Sequence, residues 1–127
     1  MKVNQEQLIQ LFLELVEVDG ISLQERLIAD TIKKRLSHIG ISFYEDDAAN
    51  KINGNCGNLI IQNINDSAKD DSILLLAHLD TVQSTANLRA VVENGVIRSD
   101  GNTILGGDDR SGVAIILYVI EEIARKK

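Results

Sequence analysis

The sequence predicts a layered α/β fold, and three observations lead to this prediction. Two amphipathic helical patterns occupy the first third of the chain, and a third begins at about Arg110. Between them, the run from Ile73 to Ala77 is continuously apolar, as expected of a strand that is buried on both faces. Helices on either side of such a strand imply stacked layers of helix and sheet.

The first two helices have recognisable starts. Asn4 with Gln7 three residues later predicts the first helix start, and Ser22 with Glu25 repeats this capping-box pattern for the second. Gly40 lies where a left-handed residue can end the second helix. Apolar residues at helical spacing form one stripe on each helix: Leu8, Leu11, Phe12, Leu15 and Val16 on the first, and Leu27, Ile28, Ile32 and Leu36 on the second.

Short β segments are predicted after these helices. Ile41 to Tyr44 alternates like a strand, Glu45-Asp46-Asp47 is interpreted as a solvated turn, and Leu59 to Ile61 is a second strand. Asn94-Gly95, flanked by apolar β segments, is the strongest short hairpin signal in the chain.

The third helix has an apolar face, and much of its opposite side is apolar too. The opposite side includes Ile115, Tyr118 and Val119, and we expect it to be uncovered in this chain. The main face consists of Val113, Ile116, Leu117, Ile120 and Ala124.

Composition excludes several classes of function. The chain has 127 residues, is 44% apolar and has a formal net charge of −6. The charge argues against nucleic acid and anionic membranes as partners, and no stretch approaches membrane-spanning length. Cys56 is the only cysteine, so an internal disulfide is excluded and a reducing, cytoplasmic location is the default expectation.

Two clusters predict half of a metal site. His78 and Asp80 follow the apolar strand, and their spacing on an extended segment places both on one face, so Asp80 can hold the His78 imidazole in one tautomer. Gly106-Gly107 precedes Asp108 and Asp109, so that backbone and carboxylate can closely approach an ion. A core histidine and an Asp that caps the third helix are the ordinary alternatives, and one Asp can ligate while the other caps.

These clusters resemble the paired signatures of the co-catalytic zinc peptidases that include peptidase T, carboxypeptidase G and the aminoacylases. The matching segments are His78-Leu79-Asp80-Thr81-Val82 and the stretch from Thr103 to Gly112. The preceding Asp100-Gly101-Asn102-Thr103 is most similar to the peptidase T branch. The likeness runs from the first helix to the last residue.

The resemblance implies a three-layer α/β sandwich around a mixed sheet, the zinc-peptidase or phosphorylase/hydrolase-like fold, in truncated form. It implies two zinc ions, with cobalt or manganese left open. His78 would ligate one ion, Asp108 would bridge both, and Asp80 would be the catalytic residue that orients His78. Gly107, Asp109 and Arg110 would support the turn, and the peptide bond between Asp108 and Asp109 would be cis.

The family completes its site with residues that this sequence lacks. A Glu-Glu pair after a further strand supplies the general base and a ligand, and more distant residues supply the rest. Glu121-Glu122 is rejected as this pair, because it lies within the third helix, where adjacent side chains point about 100° apart. A solvated helix face is the expected role of Glu121-Glu122.

Residues 1–127 are therefore interpreted as the N-terminal part of a metallopeptidase catalytic domain, without its remainder and without the inserted dimerisation domain. The expected function of the full-length protein is metal-dependent hydrolysis of short peptides, as in an aminotripeptidase, with a homodimer left open and the fragment inactive. An acylase, a carboxypeptidase or a dipeptidase of the same family is an alternative. A magnesium-binding receiver-like module and a catalytically dead interaction domain are alternatives from other classes.

Overall fold

The computed structural model of the chain describes residues 3–62 and 73–126. Its elements follow in the order α1 (Gln5–Val16), α2 (Arg26–His38), β1 (Tyr44–Glu45), α3 (Ala48–Ile52), β2 (Leu59–Ile60), β3 (Ala90–Glu93), β4 (Val96–Ser99) and α4 (Gly107–Ala124). No helix in these two ranges is long and apolar enough to cross a bilayer.

The core lies between the three long helices and contains most of their predicted apolar stripes, but the prediction is wrong for Leu27 of α2, which is 60% exposed. The core consists of Leu11, Leu15, Ile28, Ile32, Leu36, Val113, Ala114, Leu117, Tyr118 and Ile120. The expectation of an uncovered far side on α4 is right for Ile115, which is 53% exposed, and wrong for Tyr118, which is 5% exposed. The Tyr118 hydroxyl accepts a hydrogen bond from the Asn4 backbone N–H at 2.7 Å, which joins α4 to the start of α1.

The two predicted helix starts have different outcomes. The Asn4 side chain accepts a hydrogen bond from the Gln7 N–H at 3.2 Å, so the N-cap of α1 is confirmed. The capping box at α2 is wrong, because α2 begins at Arg26 after Glu25, and Glu25 makes no side-chain cap. Glu25 instead accepts a hydrogen bond from the Leu23 N–H, and Ser22 donates to Asp80.

The predicted solvated turn at 45–47 is wrong for Glu45. This residue belongs to β1, and its carboxylate binds Arg26 through two nitrogens, at 2.7 and 2.8 Å, as well as the Lys33 ammonium and the Gly57 N–H. These contacts hold β1 against α2 and hold the pKa of the Glu45 carboxyl well below its usual range, chiefly through Arg26. The short helix α3, which follows β1, was not predicted.

The described strands form two small antiparallel sheets. β1 pairs with β2, and β3 pairs with β4. The predicted hairpin is confirmed: Asn94 and Gly95 have φ values of 52° and 77°, the pair of positive angles that a type I′ turn needs.

The apolar run that leads to His78 differs from its prediction. Ile73 to Ala77 is not assigned to a strand, and its first four residues are 49–88% exposed. Within residues 3–62 and 73–126, the segment pairs with no strand. The first β contact after it is a single parallel bridge between Thr81 and Ile21. A continuously apolar strand is buried only when sheet and helix cover both faces, and the described residues do not supply that cover. They do not form a mixed sheet or three layers either.

Candidate metal centre

His78 and Asp80 are positioned by a backbone anchor that directly follows them. The Thr81 N–H donates to the Gly20 carbonyl at 2.9 Å, and the Thr81 side chain is buried. This anchor joins the exposed apolar segment to the turn after α1. It fixes the end of the segment close to the first residues of α4.

The His78 imidazole lies between two carboxylates. Its Nδ1 is 3.0 Å from Asp80 Oδ1 and 3.1 Å from the Asp80 backbone carbonyl oxygen, and its Nε2 is 3.0 Å from Asp108 Oδ1. Since a backbone carbonyl can only accept, Nδ1 carries a hydrogen and donates it. The predicted same-face hydrogen bond between His78 and Asp80 is therefore present, and it leaves Nε2 directed at Asp108.

The two contacts also explain the electrostatics of the pair. The hydrogen bond with Asp108 is the main cause that raises the pKa of His78, and the contacts with Asp80 add to it. The pKa of Asp80 is lowered, first by the Ser22 hydroxyl and then by His78. An ionised Asp80 that accepts a hydrogen bond from Nδ1–H makes the imidazole a better ligand at Nε2.

The side chains of Asp108 and Asp109 make different contacts. Asp108 faces His78 and its side chain is 95% exposed, whereas Asp109 turns back and accepts the Gly112 N–H at 3.0 Å. Asp109 thus caps the regular part of α4, as one of two adjacent acids was expected to do. The peptide bond between Asp108 and Asp109 is cis, as the resemblance implied.

The two glycines before Asp108 are not equivalent. Gly106 has a φ of +73°, and a Cβ there would lie 3.1 Å from the methyl groups of both Thr81 and Thr85. A Cβ on Gly107 would meet only Leu105, at 4.0 Å. Gly106 is therefore required by its positive φ and by the close Thr81 and Thr85 methyl groups, whereas Gly107 has room for a side chain.

Arg110 does more than support the turn. Its side chain is fully buried, and Nη1 donates to the Leu15 carbonyl at 2.8 Å, which ties the start of α4 to α1. Burial lowers the pKa of Arg110 to about 10, and the negative charges of Asp19 and Asp80 oppose this shift. The Arg110 guanidinium therefore places a positive charge near the carboxylates of Asp19 and Asp80.

The described residues do not supply a complete set of metal ligands. In the ranges 3–62 and 73–126, no group of three or more His, Cys, Asp and Glu side chains is arranged to hold a metal ion. His78 Nε2 and Asp108 Oδ1 nevertheless lie 3.0 Å apart, and imidazole nitrogen and carboxylate oxygen are both kinds of atom that bind zinc in proteins. These two residues fit the role of two ligands in a larger set.

Glu121 does not lie on a solvated face. It is 8% exposed and binds Arg35 of α2, and it lies 3.7 Å from Arg125 in the next helical turn. Its neighbour Glu122 pairs with Arg125 at 2.7 Å. The expected solvated face is therefore wrong for Glu121. These ion pairs agree with the rejection of Glu121-Glu122 as a catalytic pair.

Ser22 is the site residue that sequence reasoning missed. Its hydroxyl donates to Asp80 Oδ2, on the side of the carboxylate opposite His78. The sequence signal at this position, a Ser three residues before a Glu, pointed to a helix cap instead.

The chain is similar in sequence to known proteins. No protein-family model matches the chain. The uncharacterised protein YqjE of Bacillus subtilis is 36% identical over 119 residues, which cover 94% of this chain and 32% of YqjE. Peptidase T of Caldanaerobacter subterraneus is 28% identical over 115 residues, which cover 88% of this chain and 27% of that protein.

Two crystal structures share the fold. A tripeptidase from Staphylococcus aureus has a TM-score of 0.78 and 30% identity, and aminopeptidase PepT from Bacillus cereus has a TM-score of 0.79 and 31% identity. Each match covers 98% of this chain and 33% of the solved chain. The chain thus spans about a third of the length of its relatives. Within that span it is peptidase T-like in both sequence and structure.

Proposed function

We propose that the chain is the N-terminal part of the catalytic domain of a peptidase T-like metallopeptidase, and that the full-length protein hydrolyses short peptides as an aminotripeptidase. The observation that carries this proposal is the convergence of His78 Nε2 and Asp108 Oδ1 at 3.0 Å, with Asp80 behind the imidazole. The structural relatives, a tripeptidase and an aminopeptidase, support the substrate class.

In this proposal the site holds two zinc ions, with cobalt or manganese as the alternatives. His78 would ligate one ion, the Asp108 carboxylate would contribute to holding both, and Asp80 orients His78 by accepting a hydrogen bond from its Nδ1–H. Asp109 and Arg110 hold the start of α4 in place, the first by capping it and the second by tying it to α1. When bound, zinc would supply a water of lowered pKa and would polarise the peptide carbonyl.

The 127-residue chain is proposed to be inactive alone. A catalytic zinc normally has three protein ligands, and each ion of a pair needs its own set. The general base and the remaining ligands are assigned to the rest of the full-length protein. The proposal keeps the cytoplasmic location, which the buried free thiol of Cys56 suits, and leaves a homodimer open.

The other members of the family remain the nearest alternatives, because His78 and Asp108 serve the metals and not the specificity pocket. Acylase, carboxypeptidase and dipeptidase activity would be separated from tripeptidase activity by comparing an N-acyl amino acid, a dipeptide and a tripeptide as substrates. A receiver-like module would bind magnesium and no zinc, and a dead interaction domain would bind neither.

The decisive experiment uses the full-length protein and compares His78→Ala with His38→Ala. We expect about two zinc equivalents and tripeptide hydrolysis in the unmodified protein. His78→Ala should lose both, because an imidazole ligand is gone. His38→Ala should keep both, because His38 is an exposed residue in the last turn of α2. Asp80→Ala should lose roughly 10- to 100-fold in zinc affinity or activity. Full zinc content and full activity in His78→Ala would contradict the proposal.

A further inference from the structure

The turn before α2 contributes a residue to the metal centre. We propose that Ser22 is a positioning residue that fixes the Asp80 carboxylate and, through it, the metal-binding orientation of the His78 imidazole. The inference rests on the proposed function, because it concerns the ligand His78. It extends the site to a third part of the chain.

The two oxygens of Asp80 have different partners. Oδ1 accepts from His78 Nδ1, and Oδ2 accepts from the Ser22 hydroxyl. The torsion that rotates a carboxylate about its own bond is soft, so one hydrogen bond does not hold the group in a single orientation. A donor on each oxygen does hold it. Ser22 therefore keeps Oδ1 directed at the imidazole.

The fold places Ser22 by backbone contacts on both of its sides. Before it, the Gly20 carbonyl accepts from the Thr81 N–H, and Ile21 forms the parallel bridge with Thr81. After it, the Gln24 N–H donates to the Ile21 carbonyl at 2.9 Å and closes a β-turn. Asp80 directly precedes Thr81, so one anchor sets the distance between the serine and the carboxylate.

The residue after Ser22 strengthens this placement. Leu23 has a φ of 70°, the left-handed value that a type II turn needs at its third position. Its N–H donates to Glu25 Oε1 at 2.7 Å, which holds the turn in this form. The Ser and Glu that resemble a capping box thus serve the turn and the site, and neither caps α2.

Loss of the Ser22 hydroxyl should loosen the carboxylate without removing it. Outer partners of metal ligands typically contribute about 10- to 100-fold in metal affinity, and Ser22 lies one contact beyond Asp80. We therefore expect Ser22→Ala in the full-length protein to lower zinc affinity about 3- to 10-fold. Ser22→Thr keeps the hydroxyl, and its methyl group has room because Ser22 is exposed. It should restore affinity to within about twofold.

Ser84→Ala is the matched control. The Ser84 hydroxyl donates to Asp19 Oδ2 at 2.9 Å, so it also makes an exposed serine–aspartate hydrogen bond in a loop near Thr81. Asp80 also accepts a hydrogen bond from His78, whereas the hydrogen bonds of Asp19 in the described residues come from Ser84 and the Thr85 N–H. Ser84→Ala removes the hydrogen bond between Ser84 and Asp19 and also the acceptor of the Ala86 N–H, and it should leave zinc affinity within about twofold of the unmodified protein.

A double-mutant cycle separates positioning from a general effect on structure. Zinc affinity is measured by competition with a chelator for Ser22→Ala, Asp80→Ala and the double variant. If Ser22 acts through Asp80, its removal should have no further effect once Asp80 is alanine. An equal loss in the Asp80→Ala background, or unchanged affinity in Ser22→Ala, would overturn the inference. If His78→Ala also kept its zinc, the proposed function would fail as well, so the two failures are distinguishable.

Discussion

The helical layer and the segment that carries His78 differ in where their packing partners lie. Apart from Leu27, α1, α2 and α4 bury their apolar stripes against one another within the described chain, so residues such as Leu117 are 2% exposed. Ile73 to Leu76 is at least as apolar and is 49–88% exposed. Apolar sequence therefore predicts burial only where the chain also provides the surface that covers it.

The first prediction measures this contrast directly. Leu117→Ala should lower the free energy of unfolding of the chain by about 2–5 kcal/mol, because it leaves a cavity among packed side chains. Leu76→Ala makes the same chemical change at a site that is 79% exposed, and it should cost about 0.5 kcal/mol or less. Urea unfolding of both variants gives the comparison.

The same pair sharpens the comparison in the full-length protein. If the remainder of the catalytic domain covers the segment, Leu76→Ala should there approach the cost of a core truncation, about 2 kcal/mol or more. An equally small cost in the full-length protein would contradict the idea that Ile73 to Ala77 is a buried strand of the complete domain. If Leu76→Ala cost about as much as Leu117→Ala in the isolated chain, the difference between the exposed segment and the helical core would itself be contradicted.

The second prediction concerns Gly106, at the junction between the two regions. Gly106→Ala should cost about 1–3 kcal/mol, because a left-handed residue gains a Cβ that crowds the Thr81 and Thr85 methyl groups at 3.1 Å. Gly107→Ala is the matched control, and it should change stability by about 0.5 kcal/mol or less. Thermal unfolding of the two variants tests the difference. Equal costs would show that the tight approach lies elsewhere.

Local patterns account for the part of the structure that the sequence predicted. The helical stripes, the Asn4 cap and the Asn94-Gly95 hairpin depend on residues within a few positions of each other. The contact between His78 and Asp80 is also local, since the two are two residues apart on extended chain. The family resemblance brought Asp108 to the same site from 30 residues away.

The missed contacts depend on residues that are distant in sequence. The Ser22 hydroxyl donates a hydrogen bond to Asp80, which lies 58 positions later. The local pattern around Ser22 instead predicted a helix cap. Glu45 precedes Asp46 and Asp47, and this acidic run predicts a solvated turn. In the structure, Arg26 and Lys33 of α2 donate hydrogen bonds to the Glu45 carboxylate. Local sequence rules consider only residues a few positions apart, so they could not identify the distant partners of Ser22 and Glu45. The uncovered segment was mispredicted for the related reason that burial depends on what packs against it.

The smallest expected effect concerns the Glu45 contacts, which join a strand to the helical layer. The folded-state pKa of Glu45 lies below its ordinary value of 4.5, so ionised Glu45 stabilises the folded chain above that pH. This stabilisation is lost progressively as the pH falls from about 4.5 towards the lowered pKa. Glu45→Gln should cost about 1–2 kcal/mol at pH 7, because charge-assisted hydrogen bonds to Arg26 and Lys33 are weakened.

Unfolding measured from pH 7 to pH 3 tests the sign of this effect as well as its size. The difference between the unmodified chain and Glu45→Gln should be largest at pH 7 and shrink below about pH 4.5, because the unfolded chain then takes up a proton at Glu45 while the folded chain does not. Glu93→Gln is the control, since Glu93 pairs with Arg98 at 3.3 Å on an exposed hairpin. It should change stability by about 0.5 kcal/mol or less at every pH. A Glu45→Gln effect that grew on acidification would mean that the carboxylate destabilises β1, and the contacts with α2 would then not anchor the strand.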